Sequence, residues 1–374
     1  MLQASAPPPP YAIVVPTLGR PSLSACLDAV AAATASGHGP VRIVLVHDRP
    51  GPDGALPALD VPPALRPITT VVAGRGRGPA AARNTGMRAA GPVPWIVFLD
   101  DDVVPGRGWG EDLASDLGSA SRDTAAVTAR IDVPLPAGRR PTDWERNTAG
   151  LATARWITAD MAFRREALEA AGGFDERFRR AFREDAELAL RLIEGGWVLA
   201  PGSRRTTHPV RPADRWISVR LQAGNADDVL MCRLHGHDWW GRAGAPRGRL
   251  PRHAAVTSAA AAAVGCALAG RRAAAAWCAA GWLVGTAEFA AARIAPGPRT
   301  RSEVVTMAAT STVVPAMAVW HWLRGTVVHR RVHRADPATP PGIRSQASQG
   351  ARREQVRSSG TGPAQAPPRV GPWP

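Results

Sequence analysis

Lysine is absent from the 374 residues, so all 46 basic side chains are arginines. With alanine, glycine and proline so abundant, this reflects compositional bias as much as guanidinium chemistry, and neither alanine runs nor arginine counts carry an argument alone. Cysteine is scarce. Cys26, Cys232, Cys266 and Cys278 are widely spaced with no CxxC pair, which excludes a disulfide framework and a structural zinc site and fits a reducing compartment. No zinc finger, recognition-helix pattern or aromatic-basic interleaving accompanies the net charge of +15, so a nucleic-acid partner is not expected. The opening "MLQASAPPPPYAIVVP" has no basic n-region and only a short apolar run, so no signal peptide is read and the first 240 residues are expected to stay in the cytoplasm.

What is present is unevenly placed. Hydrophobic residues make up 45% and charged ones 21%, ordinary for one large α/β domain with an appendage. Residues 1–240 hold 28 Arg against 27 Asp and Glu, a balance of +1, whereas residues 241–374 hold 18 Arg against 4 acids, a balance of +14. A basic segment of that kind suits an anionic membrane surface. It contains three apolar stretches, 254–270, 273–292 and 303–323, carrying Trp277, Trp282, Trp320 and Trp322. Each is near the ~20 residues that span a bilayer, and tryptophan is enriched at bilayer interfaces, but alanine is only weakly membrane-seeking. A soluble helical bundle therefore stands beside a membrane-associated region as a reading. The expected organisation is a proline-rich leader (1–10), a main domain (11–240), a basic helical region (241–334) and a tail (335–374) too poor in apolar residues to fold.

Within the main domain, "YAIVVP" (11–16), "VRIVLV" (41–46), "ITTVVA" (68–73) and "WIVFLD" (95–100) are continuous apolar runs separated by helical segments at 22–36 and 78–90. Such runs predict parallel strands covered on both faces, a Rossmann-like, doubly wound start. Ligands bind such sheets beyond the carboxyl ends of the strands. Asp48 follows the second run, Gly74–Gly78 the third, and Asp100, Asp101 and Asp102 end the fourth, so three polar clusters fall on one rim. Three adjacent carboxylates repel unless a cation or a polar ligand offsets them. Farther on, "EDAELALRLIEGG" (184–196) reads as a helix whose first turn carries Glu184 and Asp185, where capping of the helix dipole is the alternative to chemistry.

The ordered set "IVVPTLGRPSLSACLDA", "VLVHD", "GPAAARNTG", "FLDDDVVP", "ADMAFRREALEAAGGFDERF", "REDAELALRL" and "THP" resembles the family 2 glycosyltransferases of the GT-A fold, over about residues 11–210. The resemblance implies a mixed α/β sheet, a nucleotide-sugar donor and a divalent cation, Mg²⁺ or Mn²⁺, held by hard oxygen ligands. In the family's Asp-x-Asp motif the third position, here Asp102, holds the metal, and the first, Asp100, supports the ribose or the metal shell, with Asp101 between them on the donor side. His208 could complete the metal shell or be an ordinary loop histidine. Asp48 matches the acidic position that contacts the nucleobase, although "HDRP" stands where the family usually shows Asp-Asp-Gly-Ser. Thr17 and Arg83 match donor-site positions, with a helix-surface arginine the alternative for Arg83. Asp185 matches the base of an inverting transfer, which takes the proton of the acceptor hydroxyl. An acceptor that is a sugar, a glycan or a lipid-linked molecule at the cytoplasmic face of the membrane, in cell-envelope synthesis, would account for the basic C-terminal region. A sugar-nucleotide pyrophosphorylase is disfavoured by "PTLGRPS" after the first run, where that class has a glycine-rich phosphate loop, and by the lack of lysine. A non-catalytic membrane scaffold is disfavoured by the intact Asp100, Asp102 and Asp185.

Overall fold

A computed structural model describes residues 8–49 and 55–332. The leader lies largely, and the tail wholly, outside the described residues. The strands are β1 (Tyr11–Thr17), β2 (Arg42–His47), β3 (Thr69–Ala73), β4 (Trp95–Leu99), β5 (Val104–Pro105), β6 (Thr124–Asp132), β7 (Asp160–Arg164) and β8 (Val198–Thr207). They form one sheet in the order β3-β2-β1-β4-β7-β6-β8-β5. The first four run parallel, as the continuous apolar runs predict, with Ile13 opposite Ile43 and Val97. β7 then pairs antiparallel with β4, Leu99 opposite Asp160, and antiparallel with β6, while β8 runs parallel to β6. The sheet is therefore mixed, and α/β.

The helices are α1 (Ser22–Thr34), α2 (Pro79–Ala89), α3 (Trp109–Ser119), α4 (Asp143–Ala149), α5 (Arg165–Ala170), α6 (Glu184–Glu194), α7 (Ile217–Arg220), α8 (Asn225–His235), α9 (Trp239–Arg242), α10 (Leu250–Leu268), α11 (Arg272–Ile294) and α12 (Arg301–Val328). They cover both faces because side chains alternate along each strand. Val14, Val44 and Phe98 face one core with Leu168, Phe174 and Leu188; Ile13, Ile43 and Val97 face the other with Leu27, Leu113 and Leu117. Phe98, Phe163 and Phe174 meet edge to face, with centroids 5.2–6.1 Å apart, a favoured aromatic geometry. Helix α2 sits so low on the sheet that a Cβ on Gly86 would lie 2.2 Å from Cγ1 of Val14. Gly86→Ala is accordingly expected to lower stability by about 1–3 kcal/mol through overpacking, read as a lower denaturation midpoint; an unchanged midpoint would mean that α2 is free to lift.

The C-terminal helices are not a separate body. One face of α12, with Met307, Thr310, Val314 and Ala318, is buried, and the helix packs on α8, where a Cβ on Gly325 would approach Ala226 Cα to 2.8 Å. Arg293 of α11 is buried and donates to Asp143 Oδ2 at the head of α4 (2.8 Å), to Thr310 and Ser311 on α12, and to Ser218 on α7. Among the described residues α12 alone is long and apolar enough to cross a bilayer, and a third of its apolar window is buried.

Candidate active site

The parallel strands carry their connecting loops to one rim, and there the three aspartates part ways. Asp100, partly exposed, accepts from Arg83 Nη2 at 2.8 Å. Asp101, buried, accepts from Thr17 Oγ1 (2.7 Å), Arg20 Nη1 (3.1 Å) and the Leu18 amide (3.4 Å). Asp102, also buried, has Oδ2 2.8 Å from Arg211 Nε and Oδ1 3.8 Å from His208 Nε2. Each carboxylate thus faces a different cation or donor set, which offsets their mutual repulsion. Thr17 and Asp101 are placed on one another, joining the ends of β1 and β4.

Arg83 is not a surface arginine. It is buried on α2 and forks between Asp100 and Glu184 Oε1, both at 2.8 Å. Burial works against its charge, and the two carboxylates outweigh that and keep it cationic. The bridge joins the end of β4 to the first turn of α6 through Arg83, which lies 101 residues before Glu184 in the sequence, fixing Asp185 relative to Asp100. Burial pushes the Glu184 carboxyl up to about 7, with the charge of Asp185 adding to the rise and Arg83 opposing it. Asp185 is also raised, by burial first and by Asp100, against its hydrogen bond from the Ala186 amide and the charges of Arg83 and Arg183. The adjacent pair therefore titrates as a unit.

The residue that opens α6, Arg183, has φ +76°, a left-handed conformation unfavourable outside glycine and Asn. Its side chain donates to Asp228 Oδ1 at 2.8 Å and lies over Phe182, Trp239 and Trp240. That clamp holds the strained residue beside Asp185. Nothing in the sequence reading singled out Arg183.

At the other side of the rim, His208 Nδ1 lies 3.2 Å from the Pro209 carbonyl. A carbonyl only accepts, so Nδ1 is the donor of that contact and Nε2 is the ring nitrogen turned toward Asp102 Oδ1, 3.8 Å away. That gap is too long for a direct hydrogen bond, and a cation between the two atoms would bind both. Among the described residues no set of three His, Cys, Asp or Glu side chains converges on one point. Asp102 and His208 therefore fit a divalent cation that takes its remaining ligands from phosphate and water, as Mg²⁺ and similar ions do.

Asp48, beyond β2, accepts from the amides of Gly76 and Gly78, both at 2.9 Å, so it organises the loop after β3. Gly78 has φ +94°, and a Cβ there would collide with the Arg179 carbonyl. The loop and Asp48 border an open cleft of about 520 Å³ also lined by Leu18, Arg49, Arg75, Arg77 and Arg179. These four arginines escaped the sequence reading; the available signal was "GRGRG" on the rim, in a chain where arginine is too common to stand out. A cleft so lined suits an anion through charge-assisted hydrogen bonds. On the opposite flank Trp144 Nε1 donates to the Arg211 carbonyl at 2.7 Å, linking α4 to the side of Asp102.

Residues 12–169 match the model of "Glycosyl transferase family 2". The chain carries a family 2 glycosyltransferase domain. Two curated relatives, pre-mycofactocin glycosyltransferases of two Mycobacterium tuberculosis strains, are each 37% identical over 134 residues, 32% of this chain and 27% of the relative. The chain thus spans about a quarter of the length of the curated relatives it matches. Among solved structures, a mannosyltransferase from Pyrobaculum calidifontis in complex with GDP-Man and Mn²⁺ is 20% identical, with TM-score 0.48 over 86% of this chain and 89% of that one. GalNAc-T7 with UDP, GalNAc and Mn²⁺ is 14% identical, with TM-score 0.42 over 64% and 55%.

Proposed function

We propose that the chain transfers a sugar from a nucleoside-diphosphate donor to an acceptor hydroxyl with inversion, with a divalent cation bound at Asp102 and His208. The observation that carries the reading is the Asp100–Arg83–Glu184 bridge, which sets a raised-pKa carboxylate, Asp185, at a fixed place beside the acidic turn. In this proposal the basic cleft beside Asp48 receives the nucleotide and the start of its diphosphate. The cation, when bound, offsets charge on the leaving diphosphate. Asp185 takes the proton of the acceptor hydroxyl, so one base suffices and no covalent enzyme intermediate forms. Arg83 keeps Asp100 oriented, and the Asp101–Thr17 contact keeps the acidic turn against β1. We further place the enzyme at the cytoplasmic face of the membrane, with a glycan or lipid-linked acceptor of the cell envelope, on the strength of the +14 balance after residue 240.

A thermal-shift series with nucleoside diphosphates, with and without Mn²⁺, tests the donor and the cation together, because a ligand that binds only the native state raises the melting temperature. A diphosphate shift that grows with Mn²⁺ is expected in the wild type. In Asp102→Ala the Mn²⁺-dependent increment should vanish, and turnover should fall by more than about 10²-fold, beyond what loss of an outer-shell partner alone costs. Full turnover in that variant at saturating Mn²⁺ would remove the cation from Asp102.

A further inference from the structure

The hairpin of α10 and α11 is built the opposite way round from a soluble one. A soluble helical pair buries its large apolar side chains between the helices and turns small or polar ones outward. Here the seam is made of small residues. A Cβ on Gly285 would lie 2.5 Å from Val256 Cγ2, and one on Gly281, four residues earlier, would lie 3.9 Å from Ala259 Cβ. Glycines so spaced let helix backbones approach closely, the packing used inside membranes. The bulk points away: Leu268 is 85% exposed, Trp277 80%, Val284 69% and Val264 61%. At the bend between the helices stand Arg271 and Arg272, both exposed.

Charge points to the occupant of that face. Arg242 is paired with Glu194, and Arg249 and Arg252 with Glu288, whereas Arg271 and Arg272 at the bend are exposed and make no ion pair among the described residues, so the distal surface suits an anionic partner that also offers apolar depth. We infer that the distal half of the α10–α11 hairpin lies in the interface of an anionic lipid bilayer, with Leu268 and Trp277 as apolar anchors and Arg271 and Arg272 on lipid phosphates. This rests on the membrane reading above and gives it a place and a depth. Carrying two arginines through the hydrocarbon is costly, at roughly 2.5–3.5 kcal/mol each at a helix centre on insertion scales, so the hairpin rests in the interface rather than spanning. Helix α12, among the described residues the one helix apolar enough to span, stays on the catalytic domain through α8. Buried Arg293, at the far end of α11 from the bend, ties the hairpin to α4 and so couples the bound hairpin to the flank of the active site.

Flotation of the full-length protein with phosphatidylcholine vesicles, with and without phosphatidylglycerol, tests this. Wild type should float with the mixed vesicles and not with phosphatidylcholine alone. Arg271→Gln with Arg272→Gln should weaken that binding about 30-fold, since a basic residue near an anionic surface contributes about 1 kcal/mol. Leu268→Ser with Trp277→Ser should leave only a salt-sensitive remnant. Metal-dependent hydrolysis of a nucleotide-sugar in solution should match wild type in all of these variants, so loss of hydrolysis in wild type itself would overturn the transferase reading and leave the surface standing. Two results overturn the surface proposal. One is vesicle binding equal to wild type in both variant pairs. The other is no binding of wild type to the mixed vesicles; a wild-type dimer that Leu268→Ser with Trp277→Ser makes monomeric would then make the face a contact between two copies of the chain.

Discussion

Asp185→Asn is expected to lower turnover by about 10²–10⁴-fold, the range a positioned general base contributes, while donor binding measured by calorimetry stays close to wild type. The amide keeps the shape and the hydrogen-bonding reach of the carboxylate but does not accept a proton at neutral pH. The Asp100–Arg83–Glu184 bridge does not pass through this side chain, so the donor side should keep its geometry. The pH profile gives a second reading. Asp185 is pushed above the usual aspartate range, chiefly by burial, and must be ionised to act, so wild-type turnover should fall as pH drops through a value above the ordinary ~4 of an aspartate. That acid limb should be missing from the residual activity of the variant. Equal collapse of donor affinity would make Asp185 a binding or capping residue and remove it from the chemistry.

The same neighbourhood shows what sequence can and cannot reveal. The runs at β1, β2 and β4 were legible because strands buried on both faces must be apolar throughout, and the acidic turn was legible because three carboxylates at a strand end need a cause. Arg83 was visible as a residue but not in its role. Its burial depends on Glu184, which only the fold brings within hydrogen-bonding distance. The clamp on Arg183 draws on the adjacent Phe182, on Asp228 of α8 and on Trp239 and Trp240 of α9, and no local pattern announces it. Strand β8 went unread for a different reason. It contains Pro201 and Gly202 and ends in "SRRTT", so it has no apolar run, and two of its inward residues, Arg204 and Thr206, are polar.

Arg204→Ala is expected to be the most damaging single substitution for stability, at about 3–5 kcal/mol, the cost of removing one partner from a buried ion pair. Arg204 is fully buried and uses its guanidinium as a three-way tie: Nε to Asp160 Oδ1 (2.9 Å) on β7, Nη1 to Asp116 Oδ2 (3.0 Å) on α3, and Nη2 to the Val127 carbonyl (2.9 Å) on β6. Asp160 also accepts from Trp109 Nε1 and Thr206 Oγ1, and Asp116 from the Ser203 amide and hydroxyl. These remaining donors are neutral, so truncation leaves two buried carboxylates without a cation and opens the void of a long side chain. Against a total stability of about 5–15 kcal/mol for a typical domain, that loss should lower the urea midpoint sharply and reduce soluble yield. Arg204→Lys should fall between wild type and Ala, because one ammonium keeps the charge but cannot satisfy three acceptors in the plane of a fork. The deficit of the Ala variant should also shrink in mildly acidic buffer, since protonating the stranded carboxylates removes the charge that the fold no longer pairs. A deficit equal at neutral and acidic pH would assign the loss to the void alone. A midpoint matching wild type would mean that β8 is held by its backbone ladder, and that the tie contributes nothing the solvent does not replace.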